Sequence, residues 1–372
     1  MNTLIGQHIV IGIAGHSLTE GEKKFIVENN IGGVVLFSRN VADPKQVHTL
    51  CQEIQDLRHQ MTGKAPLYIA IDMEGGRVAR LKAPFTIWPP LKKLGDLDSP
   101  TVSFQFSQFM GQELKAVGIN LDFAPCIDVF TNPKNTVIGD RSLSSDPEMV
   151  AKHASALIRG YIKAEVIPCA KHFPGHGDTI IDSHADLPIE NADLERLNTI
   201  ELVPFKRAFK SKLDMTMTGH IRFPKIDPEW PVTLSEIFLK KVLREDLRYR
   251  GLVISDDLDM KALSAHYDKN LIPVRSLQAG VDLLLYCNEP ASPPKAIENI
   301  AEALSGGRLK RSDLESSYQR ILSMKKETIP NPDPLEWDQA IQIIGNPEHF
   351  KLSQSISNGE VFNHLHDPTT DN

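Results

Sequence analysis

Fourteen residues carry most of the chemistry that the chain advertises: Lys171-His172-Phe173-Pro174-Gly175-His176-Gly177-Asp178-Thr179, closed by Asp182-Ser183-His184. Three histidines and two carboxylates at such density suit proton transfer. If Asp182 hydrogen-bonds His184 across the intervening serine, it fixes the imidazole tautomer and raises its basicity. A histidine so placed can give a proton and take one back near neutral pH. The second pole is Ser255-Asp256-Asp257, which comes after apolar Leu252-Val253-Ile254. A carboxylate emerging from a buried strand can act as a nucleophile, and covalent attack needs one ionised acid and one proton donor. Asp256 and His184 supply that complement. Asp257 is expected to be structural, because neighbours leaving a strand point to opposite sides. His172, His176, Asp178, Asp182 and His184 could all ligate a metal. Their spacing matches no helical HExxH and the loop adds no cysteine beyond apolar Cys169, so neither a metal nor another cofactor is expected.

Elements must carry these groups to one place. Eight apolar runs of strand length alternate with helical segments: 8–14, 32–37, 67–71, 119–124, 166–170, 215–218, 252–255 and 281–286. Both faces of such strands are buried, as in a parallel sheet. The alternation predicts an α/β fold, a (β/α)8 TIM-type barrel spanning residues 1–328, with a doubly wound open sheet as runner-up. Helical stripes over 44–58, 194–210 and 235–247 fit the outer layer. A proline-rich break at 329–334 starts a C-terminal extension, 329–372, expected to hold a short helix over 336–344 and a frayed polar tail from 357.

A barrel demands that functional groups come after the C-terminal ends of its strands. Asp72-Met73-Glu74-Gly75-Gly76-Arg77-Val78-Ala79-Arg80 succeeds the third run, Asp122 to Asp128 the fourth, Lys171 onward the fifth, Thr218-Gly219-His220 the sixth and Asp256-Asp257 the seventh. Arg77 and Arg80 are expected to converge on Asp72 and Glu74. Asp122 and Asp128, among apolar neighbours, need hydrogen-bond donors from backbone or arginine. Gly139-Asp140-Arg141-Ser142 offers a planar donor fork in Arg141. The chain has 372 residues and a net charge of -7, which disfavours nucleic acid and membrane surfaces as partners and favours a small ligand. Cys51, Cys126, Cys169 and Cys287 form no CxxC pair and read as reduced core thiols. The N-terminus lacks the basic region of a secretion signal, and no run approaches a membrane span, so a cytoplasmic monomer is the expectation.

KHFPGHGDT with DSH, the DxEGGRVxR segment at 72–80, GDRS around Arg141, GLVISDDLDM at 251–260 and LFSRN at 36–40 together closely resemble the β-N-acetylhexosaminidases of glycoside hydrolase family 3. The resemblance spans roughly residues 10–286. It implies Asp256 as the nucleophile and His184 as the general acid/base, tuned by Asp182. It implies Asp72, Arg80, Arg141, Lys171 and His172 as holders of a terminal N-acetylglucosamine, with no cofactor. It further implies retaining hydrolysis of cytoplasmic muropeptide fragments, N-acetylglucosamine β-1,4-linked to anhydro-N-acetylmuramic acid, in cell-wall recycling. Met73, Ala79, Leu143 and Gly219 depart from the residues usual in these enzymes and touch the pocket shape and the aglycone side. Two rival readings keep other chemistry open. One is substrate-assisted hydrolysis with Asp256-Asp257 polarising the acetamido group; the other is a non-catalytic sugar- or metal-binding sensor.

Overall fold

All eight expected runs form strands of one closed, all-parallel barrel: β1 Ile9–Gly12, β2 Gly33–Leu36, β3 Tyr68–Ile71, β4 Leu121–Asp122, β5 Ile167–Phe173, β6 Met215–Thr218, β7 Leu252–Asp257 and β8 Leu283–Tyr286. β8 pairs back onto β1, with Val10 opposite Leu285. The structure is a computed structural model and describes residues 2–183 and 185–361. The fold class is therefore the TIM-type barrel, and the open sheet is excluded by the closing β1–β8 ladder.

Period-two alternation sorts each strand into two faces. Val10, Val35, Tyr68, Leu121, Ile167, Met215, Leu252 and Leu283 fill the interior, while Ile9, Val34, Ile69 and Val253 face the surrounding helices. Inside, size is matched across strands. A Cβ at Gly33 of β2 would meet the Tyr68 Cβ at 2.7 Å, so the aromatic ring takes the space that glycine leaves. Lys325, from the helix Arg311–Thr328, stoppers the N-terminal end of the barrel. Its ammonium donates to Gln7 Oε1 at 2.8 Å and to the Gly32 carbonyl at 2.7 Å, and lies 4.7 Å from the centre of the Tyr68 ring.

Several outer helices start the same way. Asp43, Ser99 and Asp146 each accept an amide hydrogen bond from the helix they cap, and each precedes a proline. Proline at the first helical position gives up only an N–H that has no partner there, and the cap oxygen satisfies another. The segment 194–210 is two helices, Leu194–Thr199 and Leu202–Lys210, and not the continuous one its periodicity suggested. Pro204 cannot donate to the Ile200 carbonyl, so the chain turns there before restarting.

Beyond the barrel, residues 337–343 form the expected short helix, and residues 347–358 form a further helix that the sequence pattern did not suggest. They are clasped to the barrel wall through Glu113. That buried carboxylate accepts from Thr86 N at 2.9 Å, Thr86 Oγ1 at 2.7 Å, Gly345 N at 3.2 Å and His349 Nδ1 at 2.8 Å. Ser357 and Asn358, placed in the expected frayed tail, complete the last helix, and the tail from 362 onward lies outside the described residues. The four cysteines are buried and unpaired. No helix among the described residues is long and apolar enough to cross a membrane.

Candidate active site

The third strand delivers two acids. Asp72 comes directly after its last residue, and the short hairpin of Met73–Gly75 with Val78–Ala79 returns the chain over the barrel mouth. Positive φ at Gly75 (94°) and Gly76 (56°) makes that reversal, a region where a side chain would be strained. Residues 72 and 74 are two apart in extended backbone, so both carboxylates face inward. Lys171, on β5, donates to Asp72 Oδ1 and Glu74 Oε1, both at 2.7 Å. Arg80 reaches Asp72 Oδ2 at 3.1 Å. Arg141 grips Glu74 with both arms of its fork, at 2.9 and 2.8 Å.

Charge sets the protonation of this cluster. Burial alone pushes both carboxyls up, but Lys171 and Arg80 beside Asp72, and Arg141 and Lys171 beside Glu74, hold them below the ordinary range. Burial would likewise strip the Lys171 proton, and the two acids overcome it and raise its affinity for that proton. The cluster is ionised throughout, a fixed array of donors and acceptors for sugar hydroxyls.

Asp128 is a second, fully buried hub. Its Oδ1 accepts His172 N at 3.1 Å and His176 N at 2.7 Å, and its Oδ2 faces His172 Nδ1 at 2.7 Å. Burial opposes the charge, but the two histidines draw the carboxyl down to about 2. A carboxylate on Nδ1 holds the proton there, so His172 Nε2 is left to face the cavity and Arg141, 3.5 Å away. Cys126 donates to the same carboxylate at 3.3 Å. Cys126, Asp128 and His172 could converge on a metal ion, with ligand atoms within 4.8 Å of one another. Each facing atom is already spent on another member, and burial lifts the thiol well above its usual value, so the trio fits a hydrogen-bonded brace better than a metal site. Asp122 accepts Met73 N at 2.9 Å, which fixes the hairpin; burial pushes its carboxyl well up.

The histidine-rich loop after β5 is tied down from within. His176 Nδ1 lies 2.6 Å from Thr179 Oγ1 and its Nε2 lies 3.3 Å from Ser183 Oγ. Burial, reinforced by nearby His172, pushes that imidazole down to about 4, so His176 is neutral. Asp178 accepts from Thr131 Oγ1 at 2.9 Å. Ser183 is held from the other side by the Ala262 amide, at 3.2 Å from its carbonyl. His184 lies outside the described residues, whereas Asp182, half-buried, stands beside Ser183 at the same rim. His266 and Asp186, 2.5 Å apart, join this loop to the one after β7.

β7 ends in the two further acids. Asp256 is half-buried, with Oδ1 accepting the Asp257 amide at 2.8 Å. Asp257 accepts Asp259 N at 3.1 Å and Cys287 N at 3.3 Å, and burial pushes its carboxyl up to about 6. Asp72, Glu74, Arg80, Arg141, Lys171, His172, His176, Ser183 and Asp256 line one cavity of about 190 Å3, with Phe37, Phe123 and Met217 as its apolar walls.

The structure thus gathers Asp72, Arg80, Arg141, Lys171, His172 and Asp256 around one space. One sequence expectation is corrected. Arg77 does not join Arg80: it turns to Asp140 at 3.2 Å and to the carbonyls of residues 136–138, because the hairpin reversal points it outward. Arg141 lines the cavity with its fork anchored on Glu74. Glu74, which the sequence placed with Asp72 without naming it among the sugar holders, joins the cavity lining, and Asp128, for which a structural and a ligand role were both open, is the buried hub behind it. The two-residue spacing from Asp72 in extended chain was the available signal for Glu74.

A parallel barrel with ionised acids, a lysine and arginines around a small polar cavity at its C-terminal rim is the architecture of barrel enzymes acting on small polar ligands. The description "Glycosyl hydrolase family 3 N terminal domain" matches residues 3–324. Beta-hexosaminidase A of Pseudoalteromonas piscicida is 34% identical over 367 residues, covering 90% of this chain, which spans 59% of that protein's length. A beta-hexosaminidase of Hydrogenovibrio crunogenus is 34% identical over 311 residues, 81% of this chain and 85% of its own. The crystal structure of NagZ from Neisseria gonorrhoeae in complex with N-trifluoroacetyl-D-glucosamine aligns with a TM-score of 0.75 and 31% identity, over 95% of this chain and 98% of that one. The chain belongs to glycosyl hydrolase family 3.

Proposed function

We propose that the protein is a retaining exo-β-N-acetylglucosaminidase that removes terminal β-linked N-acetylglucosamine, from muropeptide fragments during peptidoglycan recycling. The observation that carries this reading is the placement of Asp256 across one small cavity from the ionised Asp72-Lys171-Glu74-Arg141 array. The array grips the sugar hydroxyls at the β3–β5 side, and the sugar ring extends toward β7, where Asp256 attacks the anomeric carbon. His184, with Asp182 fixing its tautomer, protonates the leaving oxygen and later deprotonates the water that frees the sugar from Asp256. His172 offers Nε2 to the ligand. The β-hexosaminidase names of the relatives support the reaction class. The same reading takes the chain to act in the cytoplasm, as a monomer and without a cofactor.

A 5-fluoro N-acetylglucosaminyl substrate should leave its sugar on the peptide that contains Asp256, detected by mass spectrometry, and Asp256→Ala should abolish both the adduct and turnover. Since Asp257 shares the cavity with Asp256, participation of the substrate acetamido group is the second reading. Strong inhibition by a thiazoline analogue, with no adduct, would select it.

A further inference from the structure

The loop after β5 is fastened to the segment after β7 by a backbone contact and a side-chain contact. Ser183 offers its carbonyl to the Ala262 amide at 3.2 Å, and further on Asp186 Oδ1 meets His266 Nε2 at 2.5 Å. Within the loop, the Asp182 carbonyl accepts the amides of Ala185 at 2.8 Å and Asp186 at 3.0 Å, so Asp182 and Asp186 belong to one tight turn. On the other side, a ladder of turns climbs from the end of β7 to His266. Met260 N donates to the Asp257 carbonyl at 3.1 Å, Leu263 N to that of Met260 at 3.0 Å, and His266 N to that of Leu263 at 3.0 Å. Leu258 N reaches the Leu285 carbonyl of β8 at 3.0 Å, and Leu258, Met260, Ala262 and Leu263 are buried. His266 therefore stands on a packed base that is continuous with Asp256.

Asp256 and the Asp182 turn carry the two halves of the chemistry proposed above, so whatever spans them sets their separation. A retaining hydrolase needs its proton donor beside the leaving oxygen while the nucleophile lies at the anomeric carbon, and a misplacement of about 1 Å can cost about 100-fold in rate. We infer that the His266–Asp186 pair is a positioning latch, which holds the acid/base turn in register with Asp256 without touching the sugar. The inference rests on the hydrolase reading. Neither residue lines the sugar cavity. The contacts of Ser183, with Ala262 and with His176, gather at one residue, and the latch adds a second point that fixes the tilt of the turn. Beyond it, Pro188 is tied elsewhere, its carbonyl accepting Arg222 N at 2.9 Å in the loop after β6. The His266 side chain is 41% exposed and that of Asp186 59%, so water competes for both groups and the pair adds little to stability. Its effect falls on placement.

The β-N-acetylglucosaminides of 3,4-dinitrophenol, 4-nitrophenol and phenol test it, since the less acidic the leaving phenol, the more its departure depends on the proton donor. His266→Ala should lower kcat/KM about 10- to 100-fold on the phenyl glycoside and less than about threefold on the dinitrophenyl one, with N-acetylglucosamine affinity and Tm held. Asp186→Ala should match it, and the double variant should lose no more than either single one. His266→Gln puts an amide N–H near the place of Nε2 and should recover most of the loss. A loss equal for all three glycosides marks a merely structural contact and overturns the latch. So does a phenyl rate unchanged in His266→Ala, or losses that multiply in the double variant. In each of these cases hydrolysis by the wild type leaves the hydrolase reading standing. No release of phenol by the wild type from any of the three would instead remove the hydrolase reading, and the latch with it.

Discussion

Replacing Glu74 by Gln removes one charge while keeping shape, and the cluster around it fixes the size of the effect. Five groups form the grip: Asp72 and Glu74 against Lys171, Arg80 and Arg141, a net charge of +1 that becomes +2 in the variant. The Glu74 side chain is 1% exposed and that of Lys171 3%, so water cannot take over the lost carboxylate's part. Removing one partner of a buried ion pair costs about 3–5 kcal/mol. With an unfolding entropy of about 2.1 cal/mol/K per residue over about 360 residues, Tm should drop by roughly 4–7 °C. The pH dependence carries the sharper signature. The folded-state pKa of Glu74 is depressed, so its contribution is complete above the ordinary glutamate value of about 4.3 and is lost as pH falls from there. Scanning calorimetry of both proteins should show their Tm difference constant from pH 8 to about 5.5 and narrowing below about 4.3. A Tm within about 1 °C of wild type at pH 7, or a gap that stays constant into acid, would refute the electrostatic account.

Three further outcomes are expected from the same geometry. Asp182→Asn should cut turnover by about 10²- to 10⁴-fold with little change in N-acetylglucosamine affinity, read by steady-state kinetics and calorimetric titration; turnover at the wild-type rate removes the dyad role. Asp257→Asn keeps an oxygen for the Asp259 and Cys287 amides and discards a buried acid whose pKa is raised to about 6. A raised carboxyl pKa means stability present below the unfolded value and lost as pH climbs through about 6. The variant should therefore gain on the wild type by up to about 3 kcal/mol between pH 4 and 7 in urea denaturation, and a flat difference speaks against it. Gly33→Ala brings a methyl to 2.7 Å from the Tyr68 Cβ and should cost about 1–3 kcal/mol by the same measurement.

The barrel was legible because its strands are buried on both faces, so each reads as an unbroken apolar run ended by polar residues; β7 and the acids after it are the plainest case. Long-range pairing was less legible. That the Arg141 fork would close on Glu74 depends on a contact across 67 positions that no local pattern contains. Asp128 offered only its burial among apolar neighbours as a clue; its donors, the amides of His172 and His176, come from another strand and the loop after it. The outward turn of Arg77 results from the glycine-built reversal at residues 75–76, which the sequence signals as a turn without giving its direction.

Arg39 joins carbonyls that are far apart along the chain, Ile13 after the first strand and Cys287 after the last, 248 positions from the arginine itself. During synthesis that seam is the last barrel contact that can form. Until β8 has left the ribosome, β1 presents an open edge to other chains, and the Arg39 seam beside Phe37 does not exist. Most gripping and cutting residues are made earlier, so a truncated product would own the reactive groups without the enclosure that orders them. Completion of the chain is thus itself a condition for the chemistry, and shortening the protein from the C-terminal side through β8 would release sticky, open barrels before any active ones.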